Sequence, residues 1–211
     1  MKPVIALTKG RLEKQFIQFF ETMDYDIGPL MDKGRKLRIE TEEFSFFFAK
    51  GPDVATYVEN GIADLGVVGG DILYEHQPDV YNLFPLPFGQ CRMALATKAN
   101  YEWPDQKKRI ASTFTNITKE YFKNKGESVD IIKLEGSVEL APILGLADGI
   151  VDIVETGTTL KENGLVVVDE FLSFSARVIA NRSSLKLKRK SLTPVIETWK
   201  KGASKDVENS L

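Results

Sequence analysis

Short apolar runs of strand length alternate with amphipathic stretches along the chain, and this alternation restricts the possible fold more than any other feature. Residues 4–8 (VIALT) predict a buried strand, and residues 11–23 place Leu12, Phe16 and Phe20 on one face of a helix. Repeated alternation of this kind is typical of α/β folds, in which mixed or mostly parallel sheets are flanked by helices. Ligands of such sheets bind beyond the carboxyl ends of the strands. The turns that follow strands are therefore the candidate sites.

The same patterns divide the rest of the chain. Further strands are predicted at residues 36–40, 44–49, 64–70, 81–86, 92–97, 109–114, 129–134, 150–154 and 165–169. Helices are predicted at residues 53–61, 118–126, 137–147 and 191–202. We expect Asp53 to cap the first of these helices and Gly61 to end it, and Asp71 is suited to cap a helix after the glycine turn at residues 66–71.

Charge and residue content exclude several classes of protein. The net charge of −2 does not favour a nucleic-acid or anionic-membrane surface, and the basic stretch at residues 181–191 is interpreted as a solvated turn and helix face. The single cysteine, Cys91, excludes a disulfide framework, and the single histidine, His76, argues against a histidine-based triad or metal site. No secretory signal and no apolar run long enough to span a membrane is found, so a cytoplasmic protein is expected.

The turn at residues 149–165 (GIVDIVETGTTLKENGL) combines acidic and hydroxyl side chains at the end of a predicted strand. The glycine lets the backbone approach a ligand, and the amides and hydroxyls around it offer a cradle for a phosphate monoester. Carboxylates would repel a phosphate, but they accept hydrogen bonds well from the neutral cis-diol of a ribose. A sugar phosphate accounts for both halves of the turn, and a plain helix cap with surface acids is the alternative. The candidate substrate contacts are Asp152, Glu155, Thr156, Gly157, Thr158 and Thr159.

Basic residues stand at other strand ends within the first fifty residues. Lys9 and Arg11 flank a glycine where a helix is predicted to start, Arg35 lies in the run KGRKLR at residues 33–38, and Lys50 ends the phenylalanine-rich strand. Cations beside a helix amino terminus favour an anion larger than a lone phosphate. The alternative is that these charges are simply solvated.

Two further turns carry glycine. Residues 136–142 (GSVELAP) offer Gly136 and Ser137 at another predicted helix start, where both are candidate substrate contacts. The glycine turn at residues 66–71 does not match the GxGxxG pattern, so it does not by itself indicate nucleotide binding.

Together these stretches resemble the short form of the ATP phosphoribosyltransferase family. The signature run of the family is matched at every constrained position, namely Glu139, Gly145, Ala147, Ile150, Asp152, Ile153, Thr156, Gly157, Thr159 and Leu160. Further similar segments are residues 7–11 (LTKGR), 34–37 (GRKL), 53–71 and 89–96 (GQCRMALA). The chain departs from the family pattern at Thr8, Lys50 and Gly70, where proline or serine, arginine, and lysine respectively are common. The last departure removes a possible cation near the substrate.

The resemblance implies a fold of two α/β lobes similar to those of type II periplasmic binding proteins, with the active site in the cleft. Residues 1–90 and 177–211 would form the first lobe, and residues 91–176 would form the second lobe with the ribose-phosphate-binding loop. The strands near Arg92 and Arg177 would form the hinge. The alternation of strands and helices does not by itself predict this discontinuous arrangement.

The resemblance also implies an activity and roles for the candidate residues. In this activity an adenine ring nitrogen of ATP would attack the anomeric carbon of phosphoribosyl pyrophosphate, and pyrophosphate, with Mg²⁺ as the expected cofactor, would leave with inversion of configuration. Lys9, Arg11 and Arg35 would be the catalytic residues that stabilise the departing pyrophosphate, and Lys50 would face it as a substrate contact. The ribose and its phosphate would be bound by Asp152, Glu155, Thr156, Gly157, Thr158 and Thr159.

The long form of the family carries an additional C-terminal regulatory domain, and this chain is too short to include one. The resemblance therefore implies a separate regulatory subunit similar to histidyl-tRNA synthetase in a hetero-oligomer, with dimeric catalytic chains and no nucleic-acid or membrane partner. Two alternatives stay open, a two-lobed binding protein for a small anion and a sensor of phosphoribosyl pyrophosphate. An ordinary salvage phosphoribosyltransferase should carry its two acids side by side, whereas Ile153 and Val154 separate Asp152 from Glu155.

Overall fold

The computed structural model describes residues 2–105 and 107–208. The chain divides into two compact units, one formed by Met1–Gly89 with Ser175–Leu211 and the other by Gln90–Phe174. The predicted lobes also contain residues 1, 106 and 209–211, which lie outside the described residues. Each unit has its own mixed β-sheet and its own helices, which agrees with the predicted α/β class.

The secondary-structure elements follow one another as short strands and helices. The strands of the described residues are β1 (Val4–Thr8), β2 (Arg38–Glu40), β3 (Ser45–Ala49), β4 (Leu65–Gly69), β5 (Tyr81–Pro85), β6 (Cys91–Lys98), β7 (Lys108–Ser112), β8 (Val129–Lys133), β9 (Gly149–Val154), β10 (Leu165–Phe174) and β11 (Ala176–Ala180). The helices are α1 (Arg11–Glu21), α2 (Gly28–Met31), α3 (Gly51–Glu59), α4 (Gly70–His76), α5 (Thr115–Asn124), α6 (Leu140–Ile143), α7 (Thr158–Glu162), α8 (Arg182–Leu187) and α9 (Arg189–Glu208).

The sheet of the first unit has the strand order β2-β3-β1-β4-β11-β5. β1 runs parallel to β3 and β4, whereas β2 pairs antiparallel with β3, and β11 pairs antiparallel with β4 and β5. The carboxyl ends of β1, β3 and β4 therefore meet at one edge of the sheet, together with the start of β2. This is the edge at which ligands of α/β sheets bind.

The sheet of the second unit has the strand order β10-β6-β9-β7-β8. β7 runs parallel to β8 and β9, and β6 pairs antiparallel with β9 and β10. β9 is the central strand, and its carboxyl end leads into the predicted ribose-phosphate turn. A central strand is held by ladder hydrogen bonds on both sides, so the backbone position at which this turn begins is well restrained.

Aromatic side chains form the core of the first unit. Phe16 and Phe20 of α1, Phe44, Phe46 of β3 and Trp199 of α9 are each no more than 1% exposed. The ring centroids of Phe16 and Trp199 lie 5.3 Å apart, close to the edge-to-face arrangement that aromatic pairs favour. The phenylalanine-rich strand is therefore core, as predicted, and the C-terminal helix packs on the same unit as the N-terminal strand.

A buried carboxylate stands before the strand β4 of the first unit. Asp64 accepts hydrogen bonds from the Val4 N–H at 3.0 Å, from the Ser184 hydroxyl at 2.6 Å and from the Lys188 ammonium at 2.8 Å. It thereby joins the amino end of β1 to β4 and attaches α8 to both. Asp64 is 1% exposed, so each of these bonds replaces water that the carboxylate lost on folding.

Asp148 has the same position before β9 in the second unit. It accepts hydrogen bonds from the Arg109 N–H at 2.7 Å, from the Arg109 guanidinium at 2.9 Å and from the Tyr101 hydroxyl at 2.9 Å. Burial opposes ionisation of Asp148, but the hydrogen bonds from Arg109 and Tyr101 outweigh it and hold the pKa of this carboxyl below its ordinary value. The charged carboxylate thus stabilises the start of the parallel pair β7–β9.

Two helices begin at other residues than the sequence predicts. α3 begins at Gly51 with Lys50 as its N-cap, so Asp53 lies inside the first turn and does not cap the helix. Pro52 suits that first turn because its φ is already helical and it has no N–H to leave unpaired. α4 begins at Gly70, so Asp71 also lies inside a first turn and is not an N-cap.

The helix predicted at residues 137–147 is reduced to the short α6. Ser137 has a φ of 47° and Gly145 a φ of 78°, so the backbone leaves the helical region on both sides. Gly136 and Ser137 therefore do not start a helix, which corrects the prediction. The strand β11 is hidden in the sequence because Ser175 alone separates it from β10, which belongs to the other sheet.

Replacing Asp148 by asparagine is expected to remove part of the acid sensitivity of the second unit. A lowered carboxyl pKa contributes stability above the ordinary value of 3.8, and this contribution is lost as the pH falls through the lower folded-state pKa. The free energy of unfolding of Asp148→Asn should therefore be lower by about 1.5–3 kcal/mol at neutral pH and depend less on pH in acid. Urea unfolding at several pH values, followed by Trp103 fluorescence in a Trp199→Phe background, measures both.

Asp130→Asn is the matched control for this change. Asp130 lies in the same unit and pairs with Lys107, but its side chain is 59% exposed, so its loss should change the free energy of unfolding by no more than about 1 kcal/mol. An Asp148→Asn variant with the wild-type dependence of stability on pH would show that this carboxylate does not hold the strand pair.

Candidate functional site

The predicted ribose-phosphate turn borders a cavity of about 300 Å³ in the second unit. Residues 152–160 line the cavity, from the end of β9 to the first turn of α7, and Glu139 lines it as well. The structure thus brings together the predicted contacts Asp152, Glu155, Thr156, Gly157, Thr158 and Thr159. In the sequence Glu139 stands out only through the family pattern, because no local pattern predicts that the segment before α6 lies beside β9.

The turn after β9 presents donors to the cavity. Gly157 has a φ of 76°, which only glycine adopts readily, and α7 begins immediately after it. The Thr156 and Thr158 hydroxyl oxygens are 3.0 Å apart, and the first backbone bond of α7 runs from the Lys161 N–H to the Gly157 carbonyl at 3.1 Å. The amides before Lys161 therefore have no acceptor within the helix, although the Thr158 N–H donates to the Thr156 hydroxyl at 3.4 Å. We call residues 156–160 the phosphate turn, after the ligand that the sequence analysis predicts for it.

Acidic side chains lie beside the phosphate turn. Asp152 is half-buried on β9 and accepts a hydrogen bond from the Ile153 N–H at 2.8 Å, whereas Glu155 is exposed. Arg92 is also near, because its guanidinium donates to the Glu155 carbonyl at 3.5 Å and pairs with Glu170 at 3.1 Å. The resemblance assigns Arg92 only to the hinge, so this cation beside the turn is a feature that sequence reasoning missed.

The carboxyl edge of the first sheet gathers the predicted cations. Lys9 and Arg11 follow β1, Lys50 follows β3, and the Lys9 N–H donates to the Ala49 carbonyl at 2.9 Å, which ties the two strand ends together. The side chains of these three residues are exposed. Parallel pairing of β1 with β3 is the reason that residues forty positions apart lie at one edge.

Arg35 reaches the same edge by a different route. It lies in the loop before β2, which runs antiparallel to β3, so the start of β2 lies beside the end of β3. The Phe48 N–H donates to the Leu37 carbonyl at 3.3 Å and extends this pairing towards Arg35. We call Lys9, Arg11, Arg35 and Lys50 the basic edge of the first unit.

A buried acid lies next to the basic edge. Asp71, in the first turn of α4, is 7% exposed, and burial raises the pKa of its carboxyl, while backbone N–H groups and the charges of Arg11 and His76 act in the opposite direction. Its Oδ1 occupies the space above Gly69, where an added Cβ would lie 2.1 Å away. Glycine at residue 69 therefore makes room for this carboxylate.

The remaining candidates belong neither to the lining of the cavity nor to the basic edge. Gly136 and Ser137 stand in the turn before α6 and do not belong to the lining of the cavity. Cys91 is buried and His76 is exposed. Within residues 2–105 and 107–208, no group of at least three His, Cys, Asp or Glu side chains could hold a metal ion. The described helices include none that is long and apolar enough to cross a membrane.

Comparisons with known sequences point to one family. The model of HisG, ATP phosphoribosyltransferase, matches residues 50–201. The ATP phosphoribosyltransferase of Bacillus cytotoxicus is 52% identical over 195 residues, which cover 91% of this chain and 93% of that protein. That of Clostridium acetobutylicum is 50% identical over 200 residues, which cover 93% of either chain.

Solved structures are similar over the whole fold. The ATP phosphoribosyl transferase (HisG:HisZ) complex from Thermotoga maritima contains a chain with a TM-score of 0.82 and 36% identity, covering 96% of this chain and 98% of that one. The periplasmic aliphatic sulphonate binding protein SsuA from Escherichia coli has a TM-score of 0.64 and 13% identity, covering 99% of this chain and 75% of that one. The second likeness concerns the fold alone, and it confirms the predicted similarity to periplasmic binding proteins.

Replacing Gly10 by alanine is expected to destabilise the first unit through backbone strain alone. Gly10 has a φ of 90° and a ψ of −127°, a conformation that side chains disfavour, yet an added Cβ would meet no atom within 4 Å. The free energy of unfolding should fall by about 1–3 kcal/mol, as urea unfolding would show. Gly136→Ala is the control, since Gly136 has open space and no positive φ, and equal stabilities of the two variants would contradict strain at Gly10.

Proposed function

The chain belongs to the ATP phosphoribosyltransferase family, and we propose that it joins the phosphoribosyl group of phosphoribosyl pyrophosphate to an adenine ring nitrogen of ATP, with release of pyrophosphate and inversion at the anomeric carbon. It is the catalytic subunit of the first step of histidine biosynthesis. The observation that carries this function is the position of the family match, because residues 50–201 contain the phosphate turn and every residue that lines its cavity.

Catalysis of the proposed reaction depends on positioning of the substrates and on electrostatic stabilisation. The adenine nitrogen already has a lone pair, so no strong base is needed to create the nucleophile. The difficult events are the departure of a highly charged pyrophosphate and the positive charge that develops on the sugar. Groups held in place before the reaction lower both barriers most effectively.

We assign the sugar phosphate to the phosphate turn. The amides of the first turn of α7 and the hydroxyls of Thr156, Thr158 and Thr159 would donate to the phosphate oxygens, with Gly157 giving the backbone its close approach. Asp152 and Glu155 would accept hydrogen bonds from the ribose hydroxyls and favour positive charge on the ring. We also propose that Gly136 and Ser137 contact the substrate, since Glu139 of the same segment lines the cavity.

We assign the pyrophosphate to the basic edge. Arg11 and Arg35 would stabilise its departure because a guanidinium donates to two phosphate oxygens at once, and Lys9 and Lys50 would add charge beside it. Mg²⁺ carried by the substrate would further neutralise the charge of the leaving group. The side chains of the basic edge are cations and do not coordinate a metal ion, so in this proposal the substrate itself carries the ion.

We further propose the setting in which the chain works. The division of the described chain at Gly89 and Ser175 supports the lobe boundaries expected from the resemblance, 1–90 with 177–211 and 91–176. A regulatory subunit similar to histidyl-tRNA synthetase is the proposed partner, since the similar chain from Thermotoga maritima belongs to a HisG:HisZ complex. The catalytic chains are proposed to be dimeric and to act in the cytoplasm.

Other functions fit the comparisons less well. A small-anion binding protein would share the fold, but the likeness to SsuA has only 13% identity and concerns the fold alone. A sensor of phosphoribosyl pyrophosphate would use the same two sites. The match to the family model, together with relatives that are 50% and 52% identical over most of the chain, favours the transferase over both alternatives.

Binding of phosphoribosyl pyrophosphate with Mg²⁺, measured by calorimetry, tests the proposed substrate first. Ribose 5-phosphate is the control, because it contains the sugar phosphate but not the pyrophosphate, and it should bind more weakly. ATP-dependent formation of the phosphoribosylated nucleotide in the presence of the regulatory subunit is the second measurement. A chain that binds the substrate but forms no product with that subunit would be a sensor and not a transferase.

Arg11→Ala should lower kcat about a hundredfold and change the KM for phosphoribosyl pyrophosphate much less. The reason is that the contact strengthens as negative charge moves to the leaving group. Steady-state kinetics with the regulatory subunit present measures both constants, and Lys14→Ala, an exposed lysine on the same helix, is the control. A raised KM with unchanged kcat would contradict this role of Arg11.

Thr159→Val should weaken the binding of ribose 5-phosphate and of phosphoribosyl pyrophosphate by a similar amount. The variant loses one hydrogen bond to a charged phosphate, which corresponds to about 1.5–3 kcal/mol. Calorimetry measures the affinities, and Thr56→Val is the control, because the Thr56 hydroxyl donates only to the Pro52 carbonyl of α3, at 3.1 Å. Unchanged affinity would place the phosphate elsewhere.

A further inference from the structure

The loop before β2 contains one lysine that faces inward. Gly34, Arg35, Lys36 and Leu37 are exposed, whereas the side chain of Lys33 is only 23% exposed. The side chain of an arginine in an exposed loop samples many conformations, and ligand binding has to restrict them. An inward-facing lysine in such a loop therefore calls for a physical reason.

Two partners hold the ammonium group of Lys33. It forms an ion pair with the carboxylate of Glu13 on α1, and the side chain of Glu13 is only 10% exposed. It also lies 3.9 Å from the centre of the Phe48 ring, on the strand β3. The positive charge of Lys33 is thus committed to the protein, in contrast to the exposed cation of Arg35.

Glu13 makes a second contact that reaches the other basic segment. Its Oε2 accepts a hydrogen bond from the Gly10 N–H at 3.4 Å, in the strained turn between Lys9 and Arg11. A single buried carboxylate therefore connects the turn after β1 with the loop before β2. These are the segments that carry Arg11 and Arg35.

We propose that Glu13 and Lys33 are positioning residues that hold the two arginines of the basic edge in place for pyrophosphate. This inference rests on the proposed function, because it gives the pair a role in stabilising the leaving group. Neither residue touches the substrate in this scheme. The pair restricts the loop and the turn before substrate arrives, so less entropy is lost when the guanidinium groups meet the departing charge.

The charges explain why the pair is needed. Lys33 lies in a loop that also carries Arg35 and Lys36, and without Glu13 it would add to the mutual repulsion of these charges. With Glu13 it becomes an electrically neutral pair, and the remaining positive charge of the loop lies on exposed side chains. A buried pair that loses one partner leaves an uncompensated charge, so either single replacement should release the loop.

Kinetics of a double-mutant cycle tests the proposal. Glu13→Gln keeps an acceptor for the Gly10 N–H but loses the charge, and Lys33→Met keeps an apolar stem against Phe48. Each should lower kcat about tenfold with the regulatory subunit present, with a smaller change in KM, and the double variant should be no slower than either single one. Lys33→Arg should retain most of the wild-type kcat. Glu21→Gln and Lys14→Met, exposed on the same helix, are the charge-matched controls.

Hydrogen exchange of residues 32–37 provides a readout that does not depend on activity. Exchange of the Lys36 amide, which donates to the Lys33 carbonyl at 3.0 Å, should be faster in Glu13→Gln and Lys33→Met than in the wild type. The comparison is made well below the unfolding temperature of each variant, so a global loss of stability is recognised separately. Faster exchange with coupled losses of kcat supports the positioning role.

Several results would overturn it. Wild-type exchange in both single variants would show that the pair does not restrain the loop. Faster exchange with unchanged kcat, or losses of kcat that simply multiply in the double variant, would show that the restraint does not serve catalysis. If the wild-type protein itself forms no product with the regulatory subunit, the proposed function fails, and hydrogen exchange alone then decides whether the pair restrains the loop.

Discussion

Two buried carboxylates fix the alignment on which the functional edges of both sheets depend. Asp64 joins the amino ends of β1 and β4, and Asp148 joins those of β7 and β9. In a parallel pair the register set at one end is carried to the other, and a slip by one residue would turn every side chain to the opposite face. The strand ends that carry the candidate site therefore depend on charges at the far end of each strand pair. Each aspartate also attaches a neighbouring segment, α8 in one unit and Tyr101 in the other.

The two units present complementary chemistry. The first unit offers the cations of the basic edge, and the second offers hydroxyls, amides and carboxylates around the phosphate turn. In the proposed function the pyrophosphate needs the first kind of group and the sugar phosphate the second, and acids beside the cations would weaken their positive charge. Within the first unit, Asp71 and Glu13 are buried acids next to the basic edge, and burial raises the pKa of the Asp71 carboxyl.

The sequence predicts strands better than helix ends for a physical reason. A strand such as β1, β3 or β9 is a short apolar run, and its burial depends mainly on the residues within it. Helix ends depend on single residues with special backbone angles. Because Pro52 suits a first helical turn, α3 begins at Gly51, before the predicted start at Asp53. The positive φ of Ser137 and Gly145 limits α6, although the apolar residues between them suit a longer helix. β11 is not predicted from the sequence because only Ser175 separates it from β10, and no turn-forming residue there indicates a change of sheet.

By itself the sequence determined the α/β class, the family signature around the phosphate turn and which cations are candidates for the basic edge. These follow from local patterns, because periodicity and a run such as TGTT are properties of adjacent residues. Only the tertiary structure decided that the loop with Arg35 lies at the same sheet edge as Lys50, that Glu139 lines the cavity, and that Glu13 pairs with Lys33. Each of these contacts joins segments distant in sequence through the order and direction of strands. Strand order is set by how buried faces pack together, and hydrophobic periodicity does not specify it.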